Sequence, residues 1–73
     1  MTMKPIKIRA AQAMAAARQE SGLTQKELAK RSGLRQQHIS RIEAGTHLNV
    51  TLKTLDRLAK AMKKYVEVVY KEI

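Results

Sequence analysis

Four side chains able to make paired hydrogen bonds crowd into the stretch LRQQHISRIEAG: Arg35, Gln36, Gln37 and Arg41. A glutamine amide matches the donor–acceptor edge of adenine, and a guanidinium matches the two acceptors of guanine. Each such pair gives roughly 1–3 kcal/mol of base discrimination in a major groove. Ile39 and Ile42 recur at i, i+3, the spacing that buries one stripe of a helix, and Gln36, Gln37, Ser40 and Arg41 fall away from that stripe. A helix docked through its isoleucines therefore carries amides and guanidinium on its free face. A merely solvated face is the plainer alternative for two glutamines.

Charge favours the groove. The chain carries 15 basic and 6 acidic residues, a net +9, which fits a polyanionic partner. No apolar run approaches membrane-spanning length, and the first residues lack the apolar core of a signal peptide, so the expected location is cytoplasmic, without a membrane partner. The absence of cysteine fits a reducing compartment. Only Tyr65 and Tyr70 are aromatic, which argues against single-strand binding by base stacking.

Catalysis finds no support. Asp56 is the sole aspartate, no cysteine exists, and no glycine-rich phosphate loop is present. His38 and His47, without cysteine and with few acids, make no convincing zinc site. The chain reads as a non-enzyme with no cofactor.

The elements that position the four side chains follow from local signals. MTMKPIKI reads as a flexible basic arm in which a short strand is possible, and Pro5 can start a helix but not sit within one. RAAQAMAAARQESG is rich in strong helix formers, faces Met14 and Ala17 inward, and ends at Gly22. Thr24 and Glu27 form a T-x-x-E capping box, with Leu23 and Leu28 at staple spacing, so a second helix starts near Gln25 and stops at Gly33. The third helix carries the readers and stops at Gly45. THLNV is a loop that contains His47. Thr51 caps a fourth helix whose apolar face is Leu52, Leu55, Leu58, Ala59 and Met62, with Lys53, Arg57 and Lys60 opposite.

Two short helices joined through Gly33, with small Ala29 at their closest approach, make a helix-turn-helix. Thr24-Gln25, Leu28-Ala29, Gly33, Ile39-Ser40-Arg41-Ile42-Glu43 and Gly45 together resemble the phage Cro/repressor (XRE-like) helix-turn-helix family, over Met14 to Met62. The resemblance implies a mainly α, four- to five-helix phage-repressor-like domain. It assigns base reading to Arg35, Gln36, Gln37 and Arg41. It gives Gln25 a phosphate contact and a bracing role, and it pairs Arg18 with Glu43 as a structural ion pair. Ser40, His38, taken as exposed, and Lys53 are the further phosphate-contact candidates. Position 35 departs from the family, which places Ser or Thr there as N-cap; losing such a cap costs about 1 kcal/mol.

The C-terminal segment KKYVEVVYKEI alternates and is rich in β-formers, which predicts a strand of six to nine residues. No other segment is a convincing partner, so the strand is expected to pair with its copy in a second chain through Val66, Val68 and Tyr70. A domain this small is marginally stable alone, which also favours a homodimer. The expected organisation is a DNA-binding domain over residues 1–64, basic arm included, with a dimerisation strand over 65–73. A helix-turn-helix followed at once by one strand resembles the high-persistence-type antitoxins, which repress their own operon and bind a toxin. The expected function is a double-stranded-DNA-binding regulator, a dimeric repressor compatible with an antitoxin role. The alternatives are a stand-alone phage-type repressor and a non-specific basic nucleic-acid binder.

Overall fold

A computed structural model describes residues 3–46 and 50–73. His47 and most of the expected loop lie outside the described residues. The described residues form four helices in order: α1 (Ile6–Glu20), α2 (Gln25–Ser32), α3 (Gln36–Glu43) and α4 (Leu52–Ala61), the lower of the expected helix counts.

Local chemistry sets the helix starts. Thr24 Oγ1 accepts from the Glu27 N–H at 3.0 Å, while Glu27 Oε1 accepts from the Thr24 N–H at 3.0 Å, so the capping box at α2 is complete. The Thr24 N–H and hydroxyl hold the Glu27 carboxyl below its ordinary pKa. Thr51 Oγ1 accepts from the Thr54 N–H at 3.1 Å and caps α4. At α1 the expectation of a flexible arm or short strand through Ile8 is corrected. The helix begins at Ile6 with Pro5 in the N-cap position, and the Pro5 carbonyl accepts from the N–H groups of Ile8 and Arg9. Proline tolerates that place because the first helical N–H groups lack intrahelical acceptors anyway, and the alanines downstream outweigh two β-branched residues.

The ends of α1, α3 and α4 share one device. After α1, Gly22 takes φ +70° and the Leu23 N–H reaches the Arg18 carbonyl; after α3, Gly45 takes φ +74° and the Thr46 N–H reaches that of Arg41. Both are Schellman closures, in which a left-handed residue turns the chain back over the last carbonyls. At Gly45 a Cβ would also lie 2.7 Å from Ile8 Cδ1. After α4 the same closure is built on Lys63, at φ +57°, with the Lys64 N–H donating to the Ala59 carbonyl at 2.8 Å. A side chain there costs about 1 kcal/mol.

α3 packs against α1 and α2, and α4 packs against α2. Leu28, Ile39 and Leu58 are completely buried, joined in one core by Met14, Leu23, Ile42 and Met62, with Ala17, Ala29 and Leu34 against its rim. Leu58 and Ala59, with the C-cap residue Met62, carry the inward face at α4, but Leu52 at its start is largely exposed.

The expected C-terminal strand does not form in the single chain, since residues 64–73 carry no regular secondary structure. The physical reason is the one the sequence raises: a strand needs a neighbour for its N–H and C=O groups, and the described residues contain no strand at all. The segment borders a cavity of about 490 Å³ between α1 and α4, lined among others by Ile6, Met14, Leu55, Met62, Val66 and Val68.

Candidate nucleic-acid interface

The exposed face of α3 is set by what the helix buries. Ile39 is fully buried and Ile42 nearly so, which leaves Arg35, Gln36, Gln37, Ser40 and Arg41 exposed. All five thus share the solvent side of one short helix and its first flanking residue. Arg35 stands at the N-cap position with extended backbone and makes no side-chain cap bond. The His38 N–H, which a cap hydroxyl would take, donates to the Arg35 carbonyl at 3.0 Å, and the Gln36 and Gln37 N–H groups before it have no intrahelical acceptor. The helix start is therefore a local concentration of donors, suited to phosphate oxygens or purine acceptors.

His38 departs from expectation. It is half-buried, not exposed, and its Nε2 is shielded from solvent. Nε2 is therefore not open to a phosphate. Lys53, in the first turn of α4, is exposed. At the starts of α2 and α4 the cap hydroxyl takes the third N–H, and the preceding N–H groups lack intrahelical acceptors.

Behind the face lies a brace. Arg18 Nε donates to Glu43 Oε2 at 2.7 Å and Arg18 Nη2 to Glu43 Oε1 at 3.0 Å, a two-pronged pair whose side chains are 15% and 8% exposed. Arg18 Nη1 also donates to the Leu23 carbonyl at 2.8 Å. The hydrogen bonds to Glu43 raise the Arg18 pKa above its already high ordinary value, outweighing the opposing effect of burial. Gln25 Nε2 adds a bond to Glu43 Oε1 at 3.2 Å. The Glu43 carboxylate at the end of α3 thus ties α1 to the first residue of α2, and Arg18 adds the α1–α2 connection through Leu23. A carboxylate already engaged by a guanidinium only accepts, so the Gln25 amide must turn its nitrogen inward. Its second N–H remains for a phosphate, consistent with a positioning role.

The bracing role expected for Gln25 takes the form of a bond to Glu43, 18 positions away, a partner the sequence did not name. One further link was not legible in the sequence. Arg57, read as part of the outer face of α4, bends over the domain, and its Nε donates to the Ser32 carbonyl at 2.7 Å. The only available signal was the last turn of α2, whose free carbonyls attract a cation. Among the described residues no group of three or more His, Asp or Glu side chains could hold a metal ion, and no helix is long and apolar enough to cross a membrane.

The comparisons agree with this geometry. A helix-turn-helix family model matches residues 14–69. The wild-type restriction-modification controller protein C.Esp1396I is 29% identical over 85% of this chain and 78% of that chain, with TM-score 0.77. The C.Esp1396I tetramer in complex with its natural 35-base-pair operator gives the same identity and TM-score, with 80% of that chain covered. A chain of the HipA–HipB–O2–O3 complex is 29% identical over 99% of this chain and all of its own length, with TM-score 0.74. None of the curated proteins matches the chain. An α2–α3 pair joined at a left-handed glycine, a partly buried Arg18–Glu43 brace and a polar α3 face are what the family match covers, and the chain belongs to the helix-turn-helix family of DNA-binding transcription regulators, in its Cro/repressor-like (XRE-like) branch.

Proposed function

We propose that the chain is a dimeric repressor that reads a two-fold symmetric duplex site with α3. The observation that carries this reading is the exposed set Arg35, Gln36, Gln37 and Arg41 on a helix anchored by Ile39 and Ile42, in a chain of net charge +9. Arg35, Gln36, Gln37 and Arg41 read base edges; Gln25, Ser40 and Lys53 hold the sugar–phosphate backbone. The division of labour is physical: backbone contacts fix register, and base contacts carry sequence information. Residues 1–64 form the DNA-binding unit and residues 65–73 the dimerisation element. Val66, Val68 and Tyr70 are all exposed in the single chain, Tyr70 almost fully. A second copy gives these apolar side chains a cover and gives the segment's backbone groups a partner. The protein works in the cytoplasm without catalysis or cofactor.

A second reading adds a toxin partner, making the chain an antitoxin. It is favoured by the full-length correspondence with a chain of the HipA–HipB–O2–O3 complex. A toxin-like reading frame adjacent to the gene, with a product that co-purifies with this chain, supports it. A stand-alone repressor has neither.

Selection of bound sequences from a random duplex pool tests the main reading. The expected motif is a palindrome whose half-sites lie roughly 34–36 Å apart, or a multiple of that distance. Affinity should fall steeply with salt, each neutralised phosphate contributing about −0.9 to the log–log slope. A pool that emerges without a motif identifies a non-specific basic binder instead.

A further inference from the structure

The turn between α2 and α3 is held from outside by α4. Ser32, the last residue of α2, is buried; its hydroxyl accepts from the Leu34 N–H at 3.2 Å and contacts the Ala29 carbonyl at 3.4 Å. Gly33 follows at φ +76°, its N–H on the same Ala29 carbonyl at 2.9 Å. The Ser32 carbonyl accepts from Arg57 Nε at 2.7 Å, and Arg57 Nη2 lies 2.7 Å from where a Gly33 Cβ would stand. The guanidinium thus lies against the glycine while bonded to the residue before it. Gly33 is glycine for its left-handed φ, and the Arg57 guanidinium, the end of an otherwise exposed side chain, lies against its open side.

The consequence concerns the readers. Arg35 lies two residues past Gly33 and caps α3 with no side-chain bond. The start of α3 therefore lacks the local fixture that a Ser or Thr cap supplies, and its direction depends on the turn that feeds it. That turn is tied on the inside by Ser32 and on the outside by Arg57.

We propose that Arg57 is a positioning residue for sequence recognition: its guanidinium clamps the Ser32–Gly33 turn and so sets the angle at which Arg35, Gln36 and Gln37 meet the bases. This rests on the reading of α3 as the recognition helix. A lysine cannot replace it fully. An ammonium is a compact donor that reaches one carbonyl, whereas the planar fork bonds Ser32 and covers Gly33 at once.

The test compares affinity for the selected duplex with affinity for a random duplex, each across a salt series and well below the melting temperature. Arg57→Ala is expected to lower the ratio of specific to random affinity about tenfold, the worth of one well-placed base contact. The salt slope on random duplex should stay unchanged. Arg57→Lys should recover only part of the ratio. Three results overturn the proposal. A salt slope shallower by about 0.9 with the ratio intact makes Arg57 a phosphate contact. A lower melting temperature with the ratio intact makes it purely structural. Full recovery by Arg57→Lys leaves the planar fork without a role. Gln37→Ala serves as the control on the underlying reading: if it leaves sequence preference whole, α3 is not the reader, and that failure is separate from any result at Arg57.

Discussion

Glu43→Ala is the sharpest test of how the recognition helix is supported. The carboxylate accepts three hydrogen bonds, two from Arg18 at 2.7 and 3.0 Å and one from Gln25 at 3.2 Å. Breaking one side of a buried ion pair costs about 3–5 kcal/mol, because the surviving charge stays desolvated. Arg18 keeps the Leu23 carbonyl and is 15% exposed, so part of the loss is recovered through solvent. The expected cost is about 2–3 kcal/mol, from a domain whose total stability is about 4–11 kcal/mol. In a domain of this size each 1 kcal/mol lowers the melting temperature by about 4–8 °C. Thermal and urea unfolding followed by circular dichroism, at fixed protein concentration, gives both values. Replacing the pair together, Arg18→Met with Glu43→Leu, should cost much less than the single change, since no charge is then stranded. Base preference in the single variant should stay as in the wild type, with overall affinity reduced because Gln25 loses its anchor. A Glu43→Ala protein of unchanged stability and altered base preference refutes the brace and makes Glu43 a reader.

Three further outcomes follow from the same geometry. Gln25→Ala should weaken binding to selected and random duplexes by the same factor, measured by fluorescence anisotropy, because a phosphate contact carries no sequence information; a change confined to the selected duplex would contradict this. Lys63→Gly should raise stability by about 0.5–1 kcal/mol, since glycine adopts φ +57° without Cβ strain, and an equal or lower melting temperature would show that Lys63 is held by something other than the helix closure. Val68→Pro should lower dimer content, stability and operator affinity together, because proline is excluded from paired strand interiors; light scattering that gives a clean 8.2 kDa monomer for the wild type would leave residues 65–73 without their proposed role.

What was legible in the sequence was what depends on neighbours in the chain. The capping box at Thr24 and Glu27, the left-handed Gly33, the Thr51 cap and the Ile39–Ile42 anchor are each set within four residues, and each formed as read. The Arg18–Glu43 pair is long-range, and only the family resemblance made it visible. Arg57 shows the limit of face assignment: its position on α4 is outward, but a long side chain reaches a carbonyl 25 positions away. His38 shows the converse, a polar residue on the border of the apolar stripe that is half-buried. The C-terminal alternation gave a strand pattern, yet a pattern supplies side chains for one face and no hydrogen-bond partner, so a single chain leaves it unformed.

The central claim is that α3 reads bases, and base preference in the Gln37→Ala variant tests it most directly. Affinities for every single-base variant of the selected site, measured for wild type and Gln37→Ala at one salt concentration, give two profiles to compare. The expected result is preference lost at one base-pair position in each half-site, worth roughly 1–3 kcal/mol there, with the remaining positions unchanged. Two superimposable profiles would contradict the account and place the reading surface elsewhere.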